Sequence, residues 1–293
     1  MVGKKTLGEK IFTVFNYGIL ILLSFMMLFP FWEVIKTSFS TASEASSLHY
    51  YFWPKEPTWD AYRQVFHNSM IWSGYRNTLI RVALALVIQM TLTILTAYAL
   101  AHKKLPNKKF WTVMVMMTKF VSGGTVPLYI LVKTLGLFDS VFSLVLPMAI
   151  NVFYLMIVRN FFLAVPDELE EAAGIDGAGV LRVLVSVILP LSMPIIMTLA
   201  MWILVGNWNQ WFDCLMYIQT PSKYVLQTVL RKIIIESSQQ TADITAVVTQ
   251  NKVSSTEAIK GATIIVSSLP IMCIYPFIQK YFVKGMLVGA VKG

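Results

Sequence analysis

Six long apolar segments, at about 11–32, 78–101, 110–132, 141–162, 190–217 and 262–283, leave this chain few ways to fold. Crossing a hydrocarbon core of roughly 30 Å takes about 20 helical residues. Lipid satisfies no backbone polar group, so segments of this length span as helices. Of the residues, 56% are hydrophobic and 13% charged, and the mean hydropathy of +0.65 is too high for a soluble domain of 293 residues. The expected fold is all-α: a polytopic membrane protein of six transmembrane helices, one domain over residues 1–293. The first segment is too long for the apolar region of a signal peptide, and no small-residue cleavage site follows Phe29-Pro30-Phe31-Trp32, so it is expected to be retained.

The net charge of +9 would suggest nucleic acid in a soluble chain, but its distribution points to membrane orientation. Lys4, Lys5 and Lys10 precede the first segment. Lys103, Lys104, Lys108 and Lys109 fill the link after the second, and Lys280, Lys284 and Lys292 follow the sixth. With six spans all three groups lie on one side, which the positive-inside rule makes the cytoplasm. Both termini and the loop at about 164–189 are then cytoplasmic. Two stretches fall outside. Residues 33–77 are rich in Trp and Tyr, suited to short interfacial helices, and 218–261 is polar, with Ser237-Ser238-Gln239-Gln240-Thr241 and Gln250-Asn251-Lys252.

Chemistry is excluded by what is lacking. Cys214 and Cys273 sit in or beside apolar segments, and His49, His67 and His102 lie in separate loops without ligand spacing. No Gly-x-x-x-x-Gly-Lys-Ser/Thr loop is present, so any ATP hydrolysis must come from another chain. An integral-membrane enzyme lacks its cluster of acids, bases or metal ligands. An ion-coupled secondary transporter, the main alternative, would need ionisable groups at mid-membrane, whereas segments 2 and 3 offer only Arg81 and Lys119 near their ends.

Within the third segment, Ser122-Gly123-Gly124-Thr125-Val126-Pro127 frees backbone groups that lipid cannot satisfy. Two readings stand for Gly123 and Gly124: tight helix packing or lining of a path. In the fifth, a continuous helix would place Trp202, Gly206, Asn209 and Asp213 on one face at i, i+4, i+7 and i+11. Counting about 1.5 Å per residue from Pro190 puts Trp202 roughly 18 Å and Asn209 roughly 28 Å into the membrane. An aromatic plate, a gap and two polar groups suit a sugar, whose apolar ring face stacks while its hydroxyls bond. Helix–helix hydrogen bonding is the competing role for this stripe. Trp208 and Trp211 fall on another face and read as interfacial aromatics.

Between the fourth and fifth segments, Val165-Pro166-Asp167-Glu168 is a helix start, with acidic groups at the positive end of the dipole. Leu169, Ala172 and Ala173 share a side, Glu171 ends it, and Gly174 and Gly177 weaken the helix after about two turns. Glu171-Ala172-Ala173, three residues, Gly177, nine residues, Val187, one residue and Leu189-Pro190 resemble the EAA signature of ABC importer permeases, whose pattern has Ile where this chain has Val187. The Ser-Gly-Gly-x-x-Pro-x-Tyr stretch ending at Tyr129, then Gly136, Leu137 and Asp139, is similar to oligosaccharide permeases. The ending Lys280-Tyr281-Phe282-Val283-Lys284-Gly285 and Val291-Lys292-Gly293 resembles maltose-type permeases.

This resemblance implies an importer subunit of the bacterial cytoplasmic membrane that moves a carbohydrate, an oligosaccharide, by alternating access. It implies a coupling helix docking on an ATPase through Glu171, Ala172, Ala173, Asp176, Gly177, Leu189 and Pro190. The implied partners are a second homologous permease subunit in a heterodimer, two cytoplasmic ATPase subunits carrying ATP and Mg, and an extracytoplasmic solute-binding protein. No cofactor or metal is expected on this chain, and no nucleic acid.

Overall fold

The computed structural model describes residues 6–45, 51–242 and 256–290. Its contacts divide the chain into two compact units, Met1–Asn68 with Lys232–Ser268, and Ser69–Arg231 with Leu269–Gly293.

The first unit opens with α1, Leu7–Ser38, started by a Thr6/Glu9 capping box and carrying Pro30 in its interior. Its apolar side chains from Leu7 to Leu28 are exposed around the whole helix, as suits a helix solvated by lipid. α2 spans Ala42–Ala45 and α3 Asp60–His67. Helix α1 runs beyond the predicted end at residue 32. The predicted interfacial aromatics pack on one another: Phe39 lies 5.0 Å from both Trp59 and Tyr62, Trp32 lies 5.6 Å from Trp53, and Ser38 bonds the Tyr62 hydroxyl at 2.9 Å. Burial raises the Tyr62 pKa, partly offset by that hydrogen bond. Later in the chain, a Cβ on Gly261 would lie 3.0 Å from the Val34 carbonyl oxygen, so two helix backbones touch there.

In the second unit α4, Ser69–Ala101, is the central element. Its buried positions, Gly74, Thr78, Arg81, Ala85, Gln89, Thr93 and Ala97, recur every three or four residues and form one stripe of small and polar side chains. α5, Lys108–Phe120, and α6, Thr125–Thr134, meet at 109°. The break falls where Ser122-Gly123-Gly124 led the sequence to place freed backbone groups. Gly124 has φ +88°, a conformation open chiefly to glycine. The two 3-10 turns over Val141–Leu144 and Leu146–Met148 lead at 53° into α7, Val152–Leu163, whose first amides are capped by Asn151. α8 is Asp167–Ile175.

Next come α9, Val180–Val183, a π-turn over Leu184–Ile188 and α10, Leu189–Leu191, which bend by 88° into α11, Met193–Asn209. Pro190 and Pro194 flank this bend. α12, Phe212–Tyr217, follows. α13, Leu226–Ala242, makes a helix of the predicted loop through Thr241, while Gln250-Asn251-Lys252 fall outside the described residues. α14 is Thr256–Ala290.

α7 and α11 pack on α4 around a core of Ala85, Ala97, Val158, Phe162, Ile188, Leu199 and Ile203. By length and composition α1, α4 and Thr256–Ile274 can each cross a membrane, and the three bent pairs qualify as broken spans. They overlap the apolar segments of the sequence, but the fifth is Val180–Leu191 with Met193–Asn209 rather than 190–217, and the last begins at Thr256 rather than 262. Gly124 and the Pro190/Pro194 pair sit at two of the three bends, where a straight helix is disfavoured.

Candidate functional site

A cavity of about 480 Å³ opens in the second unit, within the size range of ligand sites. Its apolar wall holds Tyr154 of α7 and Trp202 of α11, stacked at 5.0 Å and 22°, with Phe153 6.4 Å from the same indole. The polar and charged groups Arg81, Gln89, Asn207, Gln210 and Asp213 also line it.

Arg81 organises them. Only 2% exposed, it spends all five N–H donors. Nε donates to Asn207 Oδ1 at 3.3 Å. Nη1 donates to the Gln210 carbonyl at 3.3 Å and to Asp213 Oδ1 at 3.1 Å. Nη2 donates to the Leu144 carbonyl at 3.2 Å and to Asp213 Oδ2. The network continues as Asn207 Nδ2 donates to Gln89 Oε1 at 3.2 Å. A bidentate guanidinium–carboxylate pair is the strongest way to hold a charge away from water.

Of the residues singled out in the sequence, Trp202, Gly206, Asp213 and Gly124 line the cavity, while Gly123 and Asn209 are outside its lining. A helix continuous through residue 213 would put Trp202, Gly206, Asn209 and Asp213 on one face. Instead α11 stops at Asn209, Gln210 is extended at φ −75° and ψ 129°, and Asp213 returns to the cavity on α12. Asn207 lines the cavity, whereas Asn209 is exposed. Trp208, read as interfacial, is 2% exposed and packs edge-on to Tyr75 at 6.3 Å. Trp211 carries the Arg231 guanidinium 3.7 Å over its ring.

Arg81 lies near the start of the apolar segment at about 78–101, yet α4 begins twelve residues earlier, at Ser69, which puts Arg81 inside the helix. An arginine, a glutamine eight residues on and small residues between them was the available signal.

At the far end of α4, the acidic segment folds as α8. Its last turn closes with Ala178 N donating to the Ala173 carbonyl at 2.9 Å and Gly177 N to that of Gly174 at 3.1 Å. This is a Schellman cap, and Gly177 at φ +79° supplies its left-handed residue. Leu169, Glu171, Ala172, Ile175, Asp176 and Gly177 are exposed, Ala173 and Leu189 pack against the core, and Pro190 is exposed. α8 is tethered to the residues that follow α4: Lys103 pairs with Asp167, and His102 Nδ1 lies 3.5 Å from Glu170 Oε2. The hydrogen bond and charge of Asp167 raise the Lys103 pKa. His102, read as a solvated loop residue, is thus three-quarters covered, beside Tyr98.

Between α6 and the 3-10 turns, Asp139 adopts φ +55° and gathers the segment after α12. Its carboxylate accepts from Gln219 N at 3.0 Å, Thr220 N at 3.0 Å, Thr220 Oγ1 at 2.7 Å and Lys223 Nζ at 2.7 Å. The Lys223 ammonium, followed by the Thr220 amide, holds its pKa well below the usual carboxylate range.

Residues 69–288 match the family described as "Binding-protein-dependent transport system inner membrane component". Protein LplC of Bacillus subtilis (strain 168) is 38% identical over 98% of this chain and 97% of its own length. The polygalacturonan/rhamnogalacturonan transport system permease protein YtcP of the same organism is 36% identical over 97% and 99%. A solved bacterial ABC transporter involved in the import of the acidic polysaccharide alginate contains a chain that superposes with a TM-score of 0.86. That chain is 26% identical, over 96% of this chain and 100% of its own. The chain belongs to the family of binding-protein-dependent transport system inner membrane components.

Proposed function

We propose that this chain is the permease half of an ABC importer for an oligosaccharide and that the cavity beside Trp202 is part of the sugar's path. The observation that carries this reading is the stacked Tyr154/Trp202 pair in a cavity that the exposed amides of Asn151 and Gln210 also line. An aromatic plate takes the apolar face of a pyranose, and amides take its hydroxyls. Relatives along the whole chain include sugar permeases, which supports the same substrate class.

The six apolar segments are proposed as six spans with both termini cytoplasmic. The exposed face of α8, with Glu171, Ala172 and Asp176, is proposed to dock on one of two ATPase subunits, which carry ATP and Mg. A second homologous permease completes the path, and a solute-binding protein delivers the sugar from outside. A solved alginate importer in complex with a pentasaccharide-bound periplasmic protein shares the fold, which supports that arrangement.

Among the described residues that line the cavity, the ion-coupled alternative would have to use the Arg81–Asp213 pair. Arg81 has no donor left for a titrating group, which favours the importer. The test is reconstitution of the purified complex in liposomes. ATP-dependent sugar uptake that survives collapse of ion gradients is expected. Uptake that follows a gradient without ATP would overturn the reading.

A further inference from the structure

We infer that the cavity on this chain selects uncharged sugars and that Asp213 is the residue that sets this preference, by masking Arg81. The inference rests on the path reading above and names its substrate class. Among the described residues that line the cavity, Arg81 and Asp213 are the only charged side chains. Their charges cancel across a two-point contact. A carboxylate-bearing sugar needs a cation with donors to spare, and Arg81 has none, because all five N–H groups already point at Asn207, Gln210, Leu144 and Asp213. The Gln89 and Asn207 amides are bound to each other, to Arg81 and to backbone carbonyls. The groups left for a ligand are therefore the exposed and neutral Gln210 and Asn151 amides, the Ser122 and Thr125 hydroxyls and the Tyr154/Trp202 plate. Entry of a uronate would bring an uncompensated negative charge next to Asp213, which disfavours it. Removing the Asp213 charge while keeping its shape, as in Asp213→Asn, would free one Arg81 N–H, the one that faces the new NH2 group, and leave a net positive site.

The experiment measures binding of neutral hexose tetrasaccharides and of oligogalacturonates of equal length to the purified transporter complex, without its solute-binding protein. Wild type is expected to bind the best neutral sugar at least about tenfold more tightly than any uronate, with little dependence on salt. Asp213→Asn should shift the ratio toward uronates by at least about tenfold, and that gain should vanish at high salt. Arg81→Gln/Asp213→Asn, neutral again, should return the wild-type preference. Should Asp213→Asn fail to assemble, the wild-type ratio and the double variant decide alone. Uronates bound as well as neutral sugars by wild type, or a preference unmoved by Asp213→Asn, would overturn the inference. Binding of neither class, with Trp202→Ala indistinguishable from wild type, would remove the path reading and this inference with it.

Discussion

The guanidinium of Arg81 grips both carboxylate oxygens of Asp213, 132 residues further along the chain. The contact ties α4 to the point where α11 gives way to α12, while Leu144 and Gln210 carbonyls take the remaining Nη protons. One side chain thereby satisfies backbone groups freed by two helix breaks.

Removing one partner should therefore cost far more than removing both. Arg81→Ala leaves the partly buried Asp213 without a counter-charge and the Leu144 and Gln210 carbonyls without a donor, and should destabilise by up to about 3 kcal/mol. Arg81→Met/Asp213→Leu should recover most of that loss. Thermal unfolding of the detergent-solubilised complex checks both. Equal losses from the single and double variants would show that the pair is not the unit of stability.

Gly177 is held at φ +79° by the Schellman cap of α8. An added Cβ meets nothing within 4 Å in this chain, so the cost of Gly177→Ala is backbone strain, about 1–2 kcal/mol. Gly177→Asn should be milder, since Asn tolerates the left-handed region. Ala172→Arg lies on the exposed face and should spare stability while uncoupling ATP hydrolysis from uptake. Comparison of melting temperature with coupled transport separates the two effects. Full transport by Ala172→Arg would remove that face from the docking surface.

Asp139 supplies a pH signature. Its folded pKa lies below the unfolded value, so its contribution is complete above the ordinary carboxylate range and is lost as the pH falls through that range toward the folded value. The melting-temperature gap between wild type and Asp139→Asn should be constant from about pH 7 to 5 and should shrink below about pH 4. A gap that closes between pH 7 and 5 would contradict the assigned ion pair with Lys223.

Orientation is testable by labelling. A cysteine introduced at Asn107 should react with an impermeant thiol reagent only from the cytoplasmic side, and one at Gln239 only from outside. The reverse pattern would place α8 on the wrong side for an ATPase.

Much of this molecule was legible in the residues. Apolar length located the helices because lipid demands it, and Gly124 and Pro127 located the α5/α6 break because their backbone preferences are local. The acidic start at Pro166-Asp167-Glu168 and Gly177 fixed both ends of α8 for the same reason. The cavity was less legible. Trp202 and Gly206 follow from helical spacing, but Asp213 reaches the cavity only because the chain leaves the helix at Gln210. No periodicity announces that break. Arg81, Gln89 and Tyr154 come from other helices, and only packing of α4, α7 and α11 brings them together. Trp208 was misread because outward and inward faces of an apolar helix look alike in sequence.

Passage of sugar against the Tyr154/Trp202 plate is tested by sugar-stimulated ATP hydrolysis in the assembled complex carrying Trp202→Ala. The account predicts unchanged assembly and basal hydrolysis with stimulation reduced at least about tenfold, since an aromatic stacking surface is lost. Stimulation equal to wild type in an intact complex would contradict it.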